Sequence, residues 1–166
     1  MTTLVEHVTT PLTREAAFAY VADFSRQAEW DPNTVSSKRI DDGELGVGAR
    51  FALVVKMGTG TASMEYRITE YQAPSLVVLV GEGSGVWSQD RITFSEVPEG
   101  TRVDYVGEIK LSGLLGVIQP LLGRALSGIF ERAANGMQRE LDALAASGAA
   151  VGEAEASATD PAAGGG

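Results

Sequence analysis

The stretch Thr101–Leu144, TRVDYVGEIKLSGLLGVIQPLLGRALSGIFERAANGMQRELDAL, changes its hydrophobic period once, and that change decides the fold. At its start Val103, Tyr105, Gly107 and Ile109 alternate with Arg102, Asp104, Val106 and Glu108, the two-residue repeat of a strand with one covered face. After Pro120, a good first helical residue, Leu122, Leu126, Ile129, Ala133, Met137, Leu141 and Leu144 recur at three- and four-residue spacing. Arg124, Glu131, Arg132, Asn135, Gln138, Arg139 and Asp142 fall between them. Such a helix, some 25 residues long, would span ~37 Å and cross a wide sheet. The chain therefore predicts a sheet closed by its own C-terminal helix.

The sheet itself is read upstream. Thr34–Ile40, Ala49–Met57, Ala62–Tyr71, Leu76–Val80 and Val86–Val97 are strand-like, separated by turn signals such as Asp41-Asp42-Gly43, Gly58-Thr59-Gly60 and Pro98-Glu99-Gly100. Short turns between consecutive strands make an antiparallel meander. Phe51, Leu53, Val55 and Met57 share one parity, as do Met64, Tyr66 and Ile68, which places each set on the covered face. The run Leu76–Val80 is apolar on both parities, expected of a well-flanked strand or of a homodimer contact. Before the meander, Leu4–Val8 reads as a strand, Thr13 as the N-cap of a helix over 14–21, and 24–29 as a second short helix ended by Trp30-Asp31-Pro32.

Composition bounds the function. With 166 residues, 44% of them hydrophobic, one domain is expected. The net charge of -9 and the absence of any Lys/Arg stripe disfavour nucleic acid. No cysteine and a single histidine, His7, exclude a thiolate or multi-histidine metal site, and no cofactor motif is present. The GEGSG run at 81–85 joins two strands and opens no helix, so it lacks the geometry of a phosphate loop. MTTLVEH has no basic and apolar leader pattern, and the most apolar stretch, 111–130, carries Pro120, Arg124 and four glycines. A soluble, cytoplasmic protein without stable membrane insertion is expected. Residues 145–166 hold Ala, Gly, Ser and three acids with little to bury, and are expected to form a disordered tail behind a 1–144 domain.

PLTREAAFAYVADF followed by EWDP, then GVGARF opening a strand, MEYRITEY, and EGTRVDYVGEI leading through an apolar loop into the last helix carry a family likeness. Over 1–144 the chain resembles the START-like, or SRPBCC, helix-grip superfamily, in its polyketide cyclase/dehydrase branch, often grouped with a carbon monoxide dehydrogenase subunit. The resemblance implies an α+β helix-grip fold: a seven-stranded antiparallel sheet wrapped around a long C-terminal helix, with two short helices after the first strand. It also implies an elongated apolar cavity between sheet and helix. It implies no single activity, because the fold serves lipid carriers, receptors, cyclases and accessory proteins alike.

The residue that sets the question is Asp90. In VWSQDRITF, 86–94, it shares parity with Ser88, Ile92 and Phe94, so a carboxylate is aimed along the covered face. Burying it charged and unpaired would cost several kcal/mol. It either lines a polar spot in the cavity, or lies hydrated at the rim, or is turned outward by a bulge between Gln89 and Arg91. Candidate ligand contacts are Trp30, Phe51, Leu53, Val55, Met64, Tyr66, Ser88, Asp90, Tyr105, Phe130 and Met137, with core packing the competing role for Trp30 and the tyrosines. Trp87, on the other parity, is expected to be exposed or at an interface, and Leu114–Ile118 is expected to pack over the cavity as an apolar lid. The leading expectation is binding of a hydrophobic small molecule, lipid-like or polyaromatic. The alternatives are a cyclase or dehydratase using Asp90, the best catalytic candidate although no catalytic constellation is identifiable, and a non-catalytic accessory or assembly protein.

Overall fold

The computed structural model describes residues 1–158. β1 (Thr2–Thr10) leads into α1 (Arg14–Val21), a 3-10 turn over Phe24–Arg26 and the single-turn α2 (Gln27–Trp30). The meander follows as β2 (Thr34–Arg39), β3 (Arg50–Met57), β4 (Gly60–Gln72), β5 (Leu76–Gly83), β6 (Val86–Val97) and β7 (Gly100–Leu111). α3 (Gly113–Ile118), a 3-10 turn over Gln119–Leu122 and α4 (Gly123–Ala158) close the chain. The strands form one antiparallel sheet of seven in the order β1-β7-β6-β5-β4-β3-β2, so the expected helix-grip architecture holds.

Local chemistry explains the short helices. Thr13 Oγ1 accepts from the Ala16 N–H at 3.2 Å, the predicted cap, with Glu15 in the first turn where the helix dipole favours an acid. Asp23 Oδ1 accepts from the Ser25 N–H at 3.1 Å and starts the next turn. Asp31, ahead of Pro32, leaves helical geometry, and its carboxylate accepts from the Asn33 N–H at 2.8 Å and the Thr34 hydroxyl at 2.8 Å. That bend returns the chain as β2.

α4 lies across the concave face and buries Phe130, Ala133, Ala134, Met137 and Leu141. Gly136 is required at the contact, because a Cβ there would overlap the Trp30 carbonyl oxygen. The expected helix boundary shifts. Pro120 sits in the 3-10 turn and α4 proper begins at Gly123. At the other end the helical backbone continues to Ala158, past the expected boundary at 144, while residues 159–166 of the expected tail lie outside the described residues. Gln138, placed by the helical pattern on the outer face, instead clasps β1: its Nε2 donates to the Thr9 carbonyl at 2.6 Å and its Oε1 accepts from the Thr9 N–H at 3.2 Å. An edge strand's free backbone groups are thereby satisfied.

The two-faced apolar run on β5 has an explanation inside the chain. Val77 and Leu79 face the core. Val78, 2% exposed, sits between Glu70 of β4 and Arg91 of β6, whose side chains approach to 3.7 Å on that outer face. The aliphatic stems of this exposed ion pair shield the valine from water.

Candidate functional site

One end of the concave face is filled. Phe18 packs edge-on against Tyr71 and Phe94 at centroid distances of 5.2 and 5.1 Å, and Phe24 packs with Trp30, Phe51 and Tyr66 at 5.6–6.3 Å. The other end is not. Between β3, β4, β6 and β7 on one side and α3 and the first half of α4 on the other lies a hollow of about 600 Å³. Val55, Met64, Tyr66, Ser88, Asp90, Tyr105, Gly107 and Ile109 form its sheet wall, and Leu122, Leu126, Ile129, Phe130 and Ala133 form its helix wall. Gln27, Asp31 and Asn33 contribute from the α2–β2 bend, and Lys56, Met57, Gly58 and Thr59 from the β3–β4 hairpin.

Four expected contacts are therefore corrected. Trp30, Phe51, Leu53 and Met137 are at most 1% exposed and do not line the hollow. Their parity is as predicted, but parity assigns a face and leaves the height along that face open. Phe51 lies under Phe24, and Trp30 is wedged between Phe24 and Tyr105. Val55, Met64, Tyr66, Ser88, Asp90, Tyr105 and Phe130 do come together around it.

Asp90 points inward. The pairing of β6 with β5 runs without a slip through Gln89↔Val80, Asp90↔Leu79 and Arg91↔Val78, so no bulge turns it out, and the residue is 6% exposed. The Tyr105 hydroxyl donates to Asp90 Oδ1 at 2.7 Å, and beside it the Ser88 hydroxyl donates to the Tyr66 oxygen at 2.9 Å. Burial pushes the Asp90 carboxyl up to about 7, with the Asp31 charge adding to the rise and the Tyr105 bond opposing it. Tyr66 and Tyr105 are pushed up by burial and then by the neighbouring Asp90 charge. Glycines let these rings lie flat against the sheet. A Cβ on Gly107 would meet the Phe130 ring at 2.8 Å, and Phe130 in turn stacks at 4.4 Å on Tyr105.

Two polar residues at the site, Gln27 and Asp31, and one beside it, Gln119, were not singled out from the sequence. Gln27, 5% exposed, donates through Nε2 to Asp31 Oδ2 at 3.3 Å, while among the described residues its Oε1 and the Trp30 indole N–H have no partner. Gln119, also buried, accepts from the Leu111 N–H at 2.9 Å and donates to the Ile109 carbonyl at 2.7 Å and the Thr2 hydroxyl at 3.0 Å. It staples the segment after α3 to β7 and β1. The signal available for Gln119 was a lone amide in an apolar run next to Pro120.

The expected apolar loop at 114–118 is the helix α3. Leu115 and Ile118 line the hollow, whereas Leu114, Val117 and Leu121 are 76–83% exposed on the outside. Gly113 takes a positive φ of 63° where the helix starts, and a Cβ on Gly116 would strike the Leu111 carbonyl. The segment Gly113–Gly148 is long and apolar enough to cross a membrane by length and composition only, and its second half supplies core residues. Trp87 is partly exposed and lies with Glu82, Val86 and Lys110 along a shallow surface hollow at the β5–β6 end of the sheet. His7 faces outward on β1, its Nδ1 at 2.6 Å from Asp104 Oδ1 across the pair with β7. Among the described residues no cluster of His, Cys, Asp and Glu is arranged to hold a metal ion.

A curled sheet gripping its own terminal helix over an apolar hollow defines the START-like class. Comparison makes the assignment specific: the family model described as polyketide cyclase / dehydrase and lipid transport matches residues 1–147, and the chain belongs to that family. Among solved structures, the protein TTHA0849 from Thermus thermophilus superposes with a TM-score of 0.71 at 16% identity, covering 88% of this chain and 98% of that one. A START superfamily protein from Mycobacterium smegmatis gives 0.68 at 14% identity, covering 86% and 97%. At these identities the likeness is one of fold. No curated protein matches the sequence.

Proposed function

We propose that this chain binds a hydrophobic small molecule, lipid-like or polyaromatic, in the hollow between β3–β7 and the first half of α4. The observation that carries the reading is the unfilled, mostly apolar end of the sheet in a chain whose family includes lipid transport proteins. Affinity would come from removing the ligand's apolar surface from water, ~0.8 kcal/mol per buried methylene. The Tyr105–Asp90 and Ser88–Tyr66 pairs would orient its polar end. α3 would act as the lid, exchanging Leu115 and Ile118 contacts for solvent when it lifts. Native mass spectrometry of the purified protein and thermal shifts with a panel of hydrophobic probes, ANS among them, test this. A Leu126→Trp substitution, filling the hollow from α4, should weaken probe binding at least tenfold; no occupancy and no shift with any probe would sink the proposal.

A second reading, a cyclase or dehydratase of polyketide-like substrates, is favoured by one observation: a buried carboxyl raised to about 7 is poised to take or give a proton at neutral pH. Turnover of such a substrate that is lost in Asp90→Asn, with the fold intact by circular dichroism, would establish it.

A further inference from the structure

The polar end of the hollow is built from acceptors. Asp90 uses Oδ1 for the Tyr105 hydroxyl, and among the described residues its second carboxyl oxygen has no protein partner. Gln27, 5% exposed and part of the same wall, adds no donor there: its Nε2 is turned to Asp31, and its Oε1 is buried with no partner among the described residues. Asp31 stands behind it, its two oxygens occupied by Gln27, Asn33 and Thr34. The free Asp90 oxygen lines the hollow with no donor among the described residues, so a guest that can give a hydrogen bond finds an unused acceptor there. The cation that a bound anion would need is missing from this end. Among the described residues the only lysine or arginine on the wall is Lys56, an exposed residue at the β3–β4 hairpin, whose Nζ is bonded to the Pro32 carbonyl at 2.9 Å. The elements packed around Asp90 add no counter-charge: Tyr66 from β4, Ser88 from β6 itself, Tyr105 from β7, Asp31 from the α2–β2 bend, and Phe130 and Ala133 from α4.

We infer that the hollow selects an apolar molecule whose inner end is a hydrogen-bond donor, a hydroxyl or a protonated amine, and rejects one that ends in a carboxylate or phosphate. The donor goes to the free Asp90 oxygen. An anion would instead be forced against two buried carboxyls with no compensating positive charge. Burial, and after it the Asp31 charge, pushes the Asp90 carboxyl up to about 7, in keeping with an end that resists negative charge. The inference rests on the binding reading above and adds the chemistry of the ligand's end.

The test uses the full chain and three probes that differ only in that end: 1-decanol, decylamine and decanoate, each competing with the uncharged dye Nile red at pH 8 and below its micellar concentration. Decanol, decylamine or both should displace the dye at concentrations at least tenfold lower than decanoate, and the relative strength of the first two tells which donor is preferred. In Asp90→Asn the preference should shrink to within about threefold, because the carboxylate that repels decanoate is gone. Decanoate binding as tightly as the other two in the native protein overturns the inference while leaving hydrophobic binding intact. A preference unchanged in Asp90→Asn overturns the assignment to Asp90. If Nile red binds but none of the three displaces it, this inference fails while hydrophobic binding stands; if Nile red does not bind, the three are ranked by thermal shift instead, and no shift with any of them overturns the inference. The ranking in the native protein decides the main point even if the variant does not fold.

Discussion

The two ends of the concave face are made from the same strands with the same parity, yet one is solid and the other hollow. At the solid end the chain returns aromatics from outside the sheet, Phe18 from α1, Phe24 from the turn and Trp30 from α2, which interlock with Phe51, Tyr71 and Phe94. At the hollow end the covering element is the first half of α4 with α3, and it offers Leu122, Leu126 and Ile129 at partial burial. The sheet supplies glycine at 107 and short polar groups at Ser88 and Asp90 where the other end has rings. Space in this fold is thus decided by what covers the sheet and by the size of the residues at one level of it.

The sharpest way to break this contrast is a matched pair of truncations. Phe51→Ala, in the solid end and fully buried, should cost about 3–5 kcal/mol of stability by denaturant titration, because it leaves a cavity among fixed rings. Leu126→Ala, at the wall of the hollow, should cost about 1 kcal/mol or less, since that side chain is only partly buried and adds to space that already exists. Equal losses would mean that the hollow is collapsed in solution.

Next in size is Asp90. Its carboxyl, ordinarily near 3.8, is raised to about 7 in the folded chain, so between those values the native state holds a proton that the unfolded chain gives up. Stability from this group is therefore full below about pH 4 and falls as pH rises through 7. The loss at pH 8 is on the order of 2–4 kcal/mol. Asp90→Asn, whose side-chain oxygen still accepts from Tyr105, should melt higher than the native protein at pH 8 and lose that advantage progressively as pH falls to about 4. A melting difference independent of pH would show that Asp90 is hydrated and ordinary. Gly136→Ala should cost about 1–3 kcal/mol by pushing α4 off the Trp30 carbonyl. The smallest effect is expected at the outer face, where Arg91→Ala breaks an exposed pair with Glu70 and should change stability by less than about 1 kcal/mol.

Much of this was legible beforehand. The two-residue alternation in Phe51–Met57, Met64–Ile68 and Val103–Ile109 places every one of those strands on its observed face, and the change of period after Pro120 announces the closing helix. Asp90 stood out because a carboxylate at a covered position needs a reason. Levels along the sheet were not legible, since Phe51 and Val55 have the same parity and only the placement of Phe24 distinguishes them. Gln27 and Asp31 escaped notice because they reach the hollow from a bend, where no period applies. Gln138 was hidden for the opposite reason: the helical pattern is a statement about apolar residues, and its amide serves the backbone of an edge strand.

β1 has its sole sheet partner in β7, with Thr2 paired to Ile109 and Thr10 to Thr101, although all the other strands lie between them in sequence. During synthesis β1 must therefore stay unpaired until the last strand of the sheet has left the ribosome, and only then can Gln138 clamp the finished edge. Contacts of such long sequence separation slow folding, so β1 is the part of this sheet with the longest wait and the greatest exposure to chaperones and wrong partners.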